Sequence, residues 1–201
     1  MNVFMAVSAT DVKNLRDKTG AGMMDCKRAL EESGGDMDKA ITYLREKGIL
    51  SAAKKSSREA KEGLIYTYVH PGSRIATMVE INCETDFVAR NEAFQTLARD
   101  IAMQIAATRP LAVERADMSQ ETIDKELDIY RNQAKNEGKP DHIIERIVQG
   151  RLEKFYQENC LLEQPFVRDT DKAIKDLITE TVAILGEHIL IRRFVRYELG
   201  G

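Results

Sequence analysis

The sequence contains no apolar segment that approaches the roughly 18 residues needed to span a membrane. Its opening residues, MNVFMAVSAT, carry no lysine or arginine and are too short for a secretory signal peptide. The absence of arginine also argues against an organellar transit peptide. We therefore expect a cytoplasmic protein.

An excess of charge of one sign is also lacking. The chain has 30 lysines and arginines against 33 aspartates and glutamates, which gives a formal net charge of −3 over 201 residues. This balance provides no general attraction to nucleic acid or anionic lipid, although it allows local basic patches. With 43% hydrophobic and 31% charged residues, the composition is that of a globular protein with one medium domain and a small one.

Cysteine is scarce. Only Cys26, Cys83 and Cys160 are present, and no two of them form a C-x-x-C pair. This number and spacing indicate neither a disulfide framework nor a zinc ribbon. We expect free thiols in a reducing cytosol, and a disulfide between two copies of the chain, through Cys83 or Cys160, is the open alternative.

Motifs that bind nucleotides, bind metals or carry out catalysis are missing as well. Gly20-Ala21-Gly22 resembles the start of a dinucleotide-binding loop, but the residue three positions after Gly22 is Asp25 and no strand precedes it. A turn between two helices explains this segment better. The three histidines lie in separate segments without ligand spacing, and no nucleophile elbow is present. We therefore expect no cofactor, no bound metal and no enzymatic activity.

Residues 1–50 have the pattern of three short helices. Ser8-Ala9-Thr10-Asp11 matches a capping box, and Gly20 follows the first helix. The second helix is expected from about Met23 to Glu32, and the third from the capping residue Asp36 to Gly48. A core this small is typical of a module that serves as a binding head.

Residues 51–63, SAAKKSSREAKEG, are small, polar and mostly basic. This segment can extend the third helix or form a linker, and we predict a linker whose charges are solvated. Residues 64–201 then form a second domain, the core of the protein.

Two β-strands are predicted at the start of the core. LIYTYVH (64–70) and RIATMVEINC (74–83) alternate in polarity around the turn residues Pro71-Gly72, which indicates a hairpin. A helix follows, with apolar residues at i, i+3 and i+4 spacing from Phe94 to Ile105, and it ends before Pro110.

The rest of the core is mainly helical. Residues 119–159 are expected to form a helical hairpin broken at Gly138-Lys139-Pro140, with Asp141 capping its second helix. A further helix is predicted from about Thr170 to Leu185, and the alternating segment HILIRRFVRYEL (188–199) indicates a last strand. Two early strands and one late strand favour an antiparallel sheet with helices on one face, which is an α+β fold.

The segment INCETDFVARNEAF (81–94) connects a predicted strand to a predicted helix. It places Phe87 beside acidic residues in a loop, where a large aromatic side chain gains nothing from exposure to water. Either Phe87 folds back into the core near Phe94, or it is held out for a partner. The pattern alone leaves both alternatives open.

Four segments, in their order along the chain, resemble the bacterial elongation factor Ts family. They are LRDKTGAGMMDCKRAL (15–30), INCETDFVARNEAF (81–94), GKPDHIIERIVQGRLEKF (138–155) and QPFV (164–167). The resemblance covers nearly the whole chain, and the two long first segments together are more specific than any short motif. It implies a guanine-nucleotide exchange factor that binds elongation factor Tu carrying GDP, releases the nucleotide and allows GTP to enter.

The resemblance also implies where the partner binds. Residues 1–50 match a head similar to ubiquitin-associated (UBA) domains. The contact residues of this head are then Leu15, Arg16, Thr19, Gly20, Ala21, Gly22, Met23 and Met24. The family segment implicated in displacing magnesium from elongation factor Tu is matched by Thr85, Asp86, Phe87 and Val88. In this role Phe87 enters an apolar gap in the partner, and Asp86 makes a polar contact beside it.

A homodimer is also implied, because short members of the family act as homodimers. We expect its interface to include the late strand from Ile189 to Leu199. The odd-numbered residues Ile189, Ile191, Val195 and Tyr197 are apolar or aromatic. A purely intramolecular role for this face is the alternative.

Two other functions compete with nucleotide exchange. The first is a non-catalytic dimeric adaptor, in which the head binds another protein and the core only dimerises. The second, direct RNA binding, has weaker support because the basic residues of the linker have no aromatic residues between them. These basic residues are Lys54, Lys55, Arg58 and Lys61.

Overall fold

The computed structural model describes residues 7–200 and contains both helices and strands. Its helices are α1 (Ala9–Thr19), α2 (Met23–Glu32), α3 (Met37–Lys55), α4 (Asp86–Ala89), α5 (Glu92–Thr108), α6 (Gln120–Asn136), α7 (Asp141–Asn159) and α8 (Ile174–Leu185). Its strands are β1 (Glu62–Val69), β2 (Ile75–Cys83), β3 (Pro165–Phe166), β4 (Asp169–Ala173) and β5 (Leu190–Glu198). The predicted α+β class is confirmed.

These elements form two compact units. The first comprises residues 7–64 together with Asn82–Leu97 and Leu177–Leu190, and the second comprises Ile65–Ile81, Ala98–Asp176 and residues 191–200. Residues 51–55 of the predicted linker continue α3. The boundary between a head and a core at residues 51–63 stays a prediction.

In the first unit, α1, α2 and α3 enclose a small apolar cluster. Ser8 caps α1 by accepting a hydrogen bond from the N–H of Asp11, and Gly20 ends it with a φ of 66°. The cluster contains buried residues from all three helices: Val12, Leu15, Cys26, Ala29, Leu30 and Ala40. The three-helix module predicted near the start of the chain is therefore present, and it fits a UBA-like head.

The third helix is longer than predicted. The sequence indicated a stop at Gly48, but α3 continues to Lys55, so that prediction is wrong. Gly48 is buried within the helix, and a Cβ added to it would lie 3.6 Å from the Cβ of Ala183 in α8. The glycine therefore marks a close approach between two helices rather than a helix end.

A three-stranded sheet has β2 at its centre and β1 and β5 at its edges. β1 and β2 form the predicted hairpin. One face of β2 is buried and carries Thr77, Val79 and Ile81. The hydroxyl of Thr77 donates a hydrogen bond of 3.0 Å to the carbonyl oxygen of Ala102 in α5. This contact shows that α5 packs on the buried face of the sheet.

In the second unit, α6 and α7 form the predicted helical hairpin. Two ion pairs connect the hairpin: Arg131 in α6 pairs with Glu145 in α7, and Arg151 in α7 pairs with Glu137, the residue that follows α6. The prediction that Asp141 caps α7 is wrong, because Asp141 is the first helical residue and the cap position before it belongs to a proline without a side-chain hydrogen bond.

The sequence patterns did not reveal a second, two-stranded sheet. β3 and β4 are antiparallel, with Pro165 opposite Ala173 and Phe166 opposite Asp169. The helix predicted from about Thr170 therefore begins only at Ile174. Two-residue strands such as β3 are too short to show an alternating pattern.

Within residues 7–200, no helix combines the length and the apolar character needed to cross a lipid bilayer. The same part of the chain holds no group of three or more histidine, cysteine, aspartate or glutamate side chains that could bind a metal ion. All three cysteines are free and buried. A disulfide between two copies of the chain therefore requires a buried thiol to become exposed.

Candidate functional site

The segment between β2 and α5 forms a short helix, α4, rather than an irregular loop. The hydroxyl of Thr85 caps α4 by accepting a hydrogen bond of 3.3 Å from the N–H of Val88. The side chain of Asn91 accepts a hydrogen bond of 2.9 Å from the N–H of Ala93 at the start of α5. Two side-chain caps thus hold the turn between a strand and a long helix.

Phe87 projects from this turn into solvent. Its exposed fraction is 79%, the highest among the large hydrophobic residues in the part of the chain that the structure describes. Phe94, in contrast, is completely buried. The structure therefore excludes one of the two alternatives that the sequence left open, because Phe87 does not fold back into the core.

The two residues beside Phe87 differ in their surroundings. Asp86 is exposed and pairs with Arg90 across 2.8 Å, but both side chains are largely in water, so the pair contributes little to stability. Val88 is only 5% exposed, and its side chain belongs to the interior. Asp86 can therefore exchange its partner for a group on another protein, whereas Val88 anchors the turn.

A second pair of residues, just before β5, contacts the start of the turn. The carboxylate of Glu187 accepts hydrogen bonds from the N–H groups of Glu84 and Thr85, each of 3.0 Å, and one of 2.7 Å from the hydroxyl of Thr85. The carboxylate of Glu84 accepts a hydrogen bond of 2.6 Å from the N–H of His188, which lowers the pKa of Glu84. The sequence patterns did not point to Glu187 or His188, because no local periodicity connects residues 102 positions apart.

The other predicted contact surface is the turn between α1 and α2. Met23 and Met24 are 47% and 67% exposed, and Arg16 is exposed as well. Leu15, in contrast, is completely buried in the apolar cluster of the head. Its side chain therefore supports the turn from inside and is not available to a partner in this conformation.

Hydrogen bonds and backbone geometry stabilise this turn. The hydroxyl of Thr19 donates a hydrogen bond of 2.8 Å to the carbonyl oxygen of Leu15 and accepts one of 3.3 Å from the N–H of Ala21. Gly20 has a left-handed φ of 66°, and a Cβ there would lie 2.9 Å from the side chain of Ile184. Both observations favour glycine at this position, while Gly22 and the two methionines remain at the surface.

The family model for elongation factor TS matches residues 2–201 of the chain. The chain belongs to the elongation factor Ts family. Similar proteins named elongation factor Ts come from Moorella thermoacetica, 58% identical over 96% of both chains, and from Thermodesulfovibrio yellowstonii, 60% identical over 98% of both chains. A third, from Desulforamulus reducens, is 60% identical over 96% of this chain and 89% of its own. The resemblance found in the four sequence segments is thereby confirmed.

Both surfaces that the elongation factor Ts resemblance points to belong to the same compact unit of the structure. The residues of the α1–α2 turn lie before Leu64, and the α4 turn lies within Asn82–Leu97. Glu187 and His188, which contact the α4 turn, also belong to this unit. The helices of the head and the α4 turn are therefore parts of one packed body, although they are far apart in sequence.

Proposed function

We propose that this chain promotes the release of GDP from elongation factor Tu, so that GTP can replace it. Membership of the elongation factor Ts family supports a nucleotide-exchange role in translation elongation. The observation that carries the proposal is the 79% exposure of Phe87 on a capped turn, within a segment that matches the family. No covalent step by the chain is needed, because differential binding to two states of the partner is sufficient.

The proposed contact is a wedge formed by the α4 turn. Phe87 enters an apolar gap in elongation factor Tu, and Asp86 exchanges Arg90 for a polar group of the partner, which together weaken magnesium and GDP binding. Thr85 and Val88 hold the turn in place, Thr85 through its hydrogen bonds and Val88 through its burial. Little order has to be gained on docking, because the turn is already capped in the free chain.

The energetics require a second contact region. Each tenfold decrease in the affinity of elongation factor Tu for GDP requires about 1.4 kcal/mol of binding energy. This energy must come from contacts that the chain makes only with the nucleotide-free state of the partner. Burial of one phenylalanine provides about 1.5–3 kcal/mol, which accounts for roughly one or two tenfold steps. We propose that Met23 and Met24 on the head supply further contacts, since both are exposed and methionine side chains adapt to irregular surfaces.

We further propose that the chain forms a homodimer through the exposed face of the three-stranded sheet. All three strands carry exposed apolar or aromatic residues: Ile65, Val69, Met78, Val195 and Tyr197. Exposed apolar surface of this kind is typical of an interaction site. The expected outcome is a dimer in sedimentation velocity that Tyr197→Glu shifts toward monomer; an unchanged dimer in this variant would contradict the proposed face.

The contribution of β5 to this face is smaller than expected. Ile189 and Ile191 are buried within the chain, as in the intramolecular alternative, whereas Val195 and Tyr197 are exposed. The alternation of burial changes phase between them, where Arg192 and a neighbouring arginine are both exposed. Only the second half of the strand is therefore available to a second copy.

We propose that the chain makes no direct contact with nucleic acid and acts in the cytoplasm, where translation elongation takes place. Two of the basic residues in the segment after α3 are paired with acids, Arg58 with Glu84 at 3.4 Å and Lys61 with Glu59 at 2.6 Å. These pairs reduce the positive charge that RNA binding needs.

The deciding experiment follows the release of fluorescent GDP from purified elongation factor Tu. We expect the parent chain to accelerate release, and Phe87→Ala to reduce the acceleration by roughly tenfold or more, from the lost burial of one aromatic side chain. Leu111→Ala is the matched control, because Leu111 is 59% exposed but lies in the other unit. No acceleration by the parent would exclude exchange and favour the adaptor function.

A further inference from the structure

We propose that Glu187 is a positioning residue for nucleotide exchange, which acts through Thr85 to fix the direction in which Phe87 is presented. This inference rests on the proposed function. It concerns a residue outside the segment that matches the family motif, 102 positions away from Thr85 in the sequence.

The first observation is that Glu187 uses both carboxylate oxygens on the start of the turn. One oxygen accepts the N–H groups of Glu84 and Thr85, and the other accepts the hydroxyl of Thr85. Hydrogen bonds to an ionised acceptor are stronger than neutral ones. Three such bonds from two consecutive residues fix the backbone where β2 ends and α4 begins.

The second observation is the double role of the Thr85 hydroxyl. A hydroxyl has one hydrogen to donate and lone pairs that accept. Thr85 donates its hydrogen to Glu187 at 2.7 Å and accepts the N–H of Val88 at 3.3 Å. Because the single hydrogen is committed to Glu187, a lone pair remains directed toward Val88, and the cap of α4 depends on the carboxylate.

The third observation is that the contact is reciprocal. The carboxylate of Glu84 accepts the N–H of His188 at 2.6 Å, and the ring of His188 lies 2.7 Å from the carbonyl oxygen of Arg58. We call Glu84, Thr85, Glu187 and His188 the 84–187 clamp. Each side of the clamp binds backbone groups of the other side, so the two chain segments are held in one register.

The clamp matters because α4 cannot hold its own conformation. It has only four residues, Asp86–Ala89, and isolated helices far longer than this are marginal in water. Phe87 adds little packing within the chain, since 79% of it is exposed. The direction of the aromatic ring therefore depends on Val88 beneath the turn and on the cap that Glu187 holds.

The test is a double-mutant cycle in the GDP-release assay with the full chain. Glu187→Gln retains the size of the side chain but replaces one acceptor oxygen with a donor group, so it cannot accept all three hydrogen bonds. We expect the maximal release rate to fall by about tenfold in Glu187→Gln. In the Phe87→Ala background the same substitution should have almost no further effect, because the aromatic ring that Glu187 positions is gone.

A second readout requires no partner. Loss of the cap should accelerate hydrogen exchange of the Val88 amide at least several-fold in Glu187→Gln, as measured by NMR on the isolated chain. Glu121→Gln is the matched control, since Glu121 is an exposed glutamate on α6 in the other unit. It should match the parent in both measurements.

The outcomes separate this inference from the proposed function. A parent chain that does not accelerate GDP release would overturn both. If the parent is active and Glu187→Gln equals it, the positioning role is excluded while exchange stands. An equal loss in the parent and Phe87→Ala backgrounds would show that Glu187 acts on general stability, and this too would overturn the inference.

Discussion

Gln104 in α5 donates a hydrogen bond of 3.2 Å to the side-chain oxygen of Gln164, and both residues are almost completely buried. The amide of Gln104 also donates to the carbonyl oxygen of Pro165 at 3.1 Å and accepts the N–H of Val167 at 2.9 Å. One side chain thus satisfies the backbone on both sides of Phe166 in β3. A buried amide in a helix therefore holds the short second sheet.

We expect Gln104→Leu to destabilise the protein by about 3 kcal/mol, because it removes the buried hydrogen bond to Gln164 and two partly buried hydrogen bonds to the backbone of Pro165 and Val167. For a chain of this size the midpoint of thermal unfolding should fall by roughly 6–12 °C. Urea denaturation measures the free energy of unfolding, and a thermal melt measures the midpoint. Gln120→Leu is the control, since Gln120 bonds only at the surface, to Asp124; an equal loss in both variants would contradict the role of burial.

Gly48 in α3 allows a prediction whose sign depends on the size of the substituent. Its added Cβ would meet the Cβ of Ala183 at 3.6 Å, an ordinary van der Waals distance. Gly48→Ala should therefore stabilise the chain by about 0.5–1 kcal/mol through helix propensity. Gly48→Leu should instead destabilise it by about 1–3 kcal/mol through overpacking. Urea midpoints of the two variants test this, and a loss in Gly48→Ala would mean that the helices are in closer contact.

The cysteines should be inert in the folded protein. Burial raises the pKa of the Cys83 thiol to about 11, and that of Cys160 to about 11 as well. Both thiols are therefore protonated at neutral pH, and the thiolate is the reactive form. We expect an aromatic disulfide reagent to modify none of the three cysteines at pH 8 and all three in urea. Rapid reaction of one thiol in the native chain would contradict this.

The same shifts predict alkaline sensitivity. In the unfolded chain a thiol ionises near its ordinary pKa of 9.0, whereas the folded Cys83 thiol stays protonated up to about 11. The unfolded state therefore binds fewer protons in this interval, and stability falls as the pH rises from about 9 to about 11. The stability of Cys83→Ser should fall less steeply with pH, because serine does not ionise in this pH range. Urea midpoints at pH 8 and pH 10.5 compare the variant with the parent.

At acidic pH the 84–187 clamp should weaken. The N–H of His188 lowers the pKa of Glu84 below its ordinary value of 4.5. At pH values between the lowered pKa of the folded state and 4.5, the unfolded state binds more protons than the folded state. The contribution of Glu84 to stability is therefore present above pH 4.5 and is lost as the pH falls through the lowered pKa. Glu84→Gln should therefore lose less stability than the parent between pH 5 and pH 3. Parallel acid profiles would exclude a contribution from this carboxylate.

Capping and turn residues in the sequence correctly predicted the ends of several helices and strands. Ser8 and Gly20 mark the two ends of α1, and Pro71-Gly72 marks the turn between β1 and β2. The exposure of Phe87 is different, because its pattern fitted both a core and a surface residue. There the family segment, and not periodicity, favoured the surface position that the structure shows.

The features that the sequence patterns did not predict depend on contacts between residues far apart in the chain. Gly48 has the residue type of a helix stop, yet α8 lies against it, and packing outweighs the local preference. β3 is held by Gln104, more than 60 residues earlier, and Thr85 by Glu187, more than 100 residues later. Hydrogen bonds between residues so far apart cannot be recognised in a single sequence, because the residues next to each partner along the chain form no pattern that points to the other.

The position of β5 at one edge of the three-stranded sheet has a consequence for the synthesis of the chain. β1 and β2 leave the ribosome as a hairpin, but the third strand comes from residues 190–198. Glu187 is also synthesised late, 102 residues after Thr85 in the turn that it fixes. Because isolated hairpins are marginally stable, the sheet and the presentation of Phe87 are completed only when residues 187–198 have been synthesised.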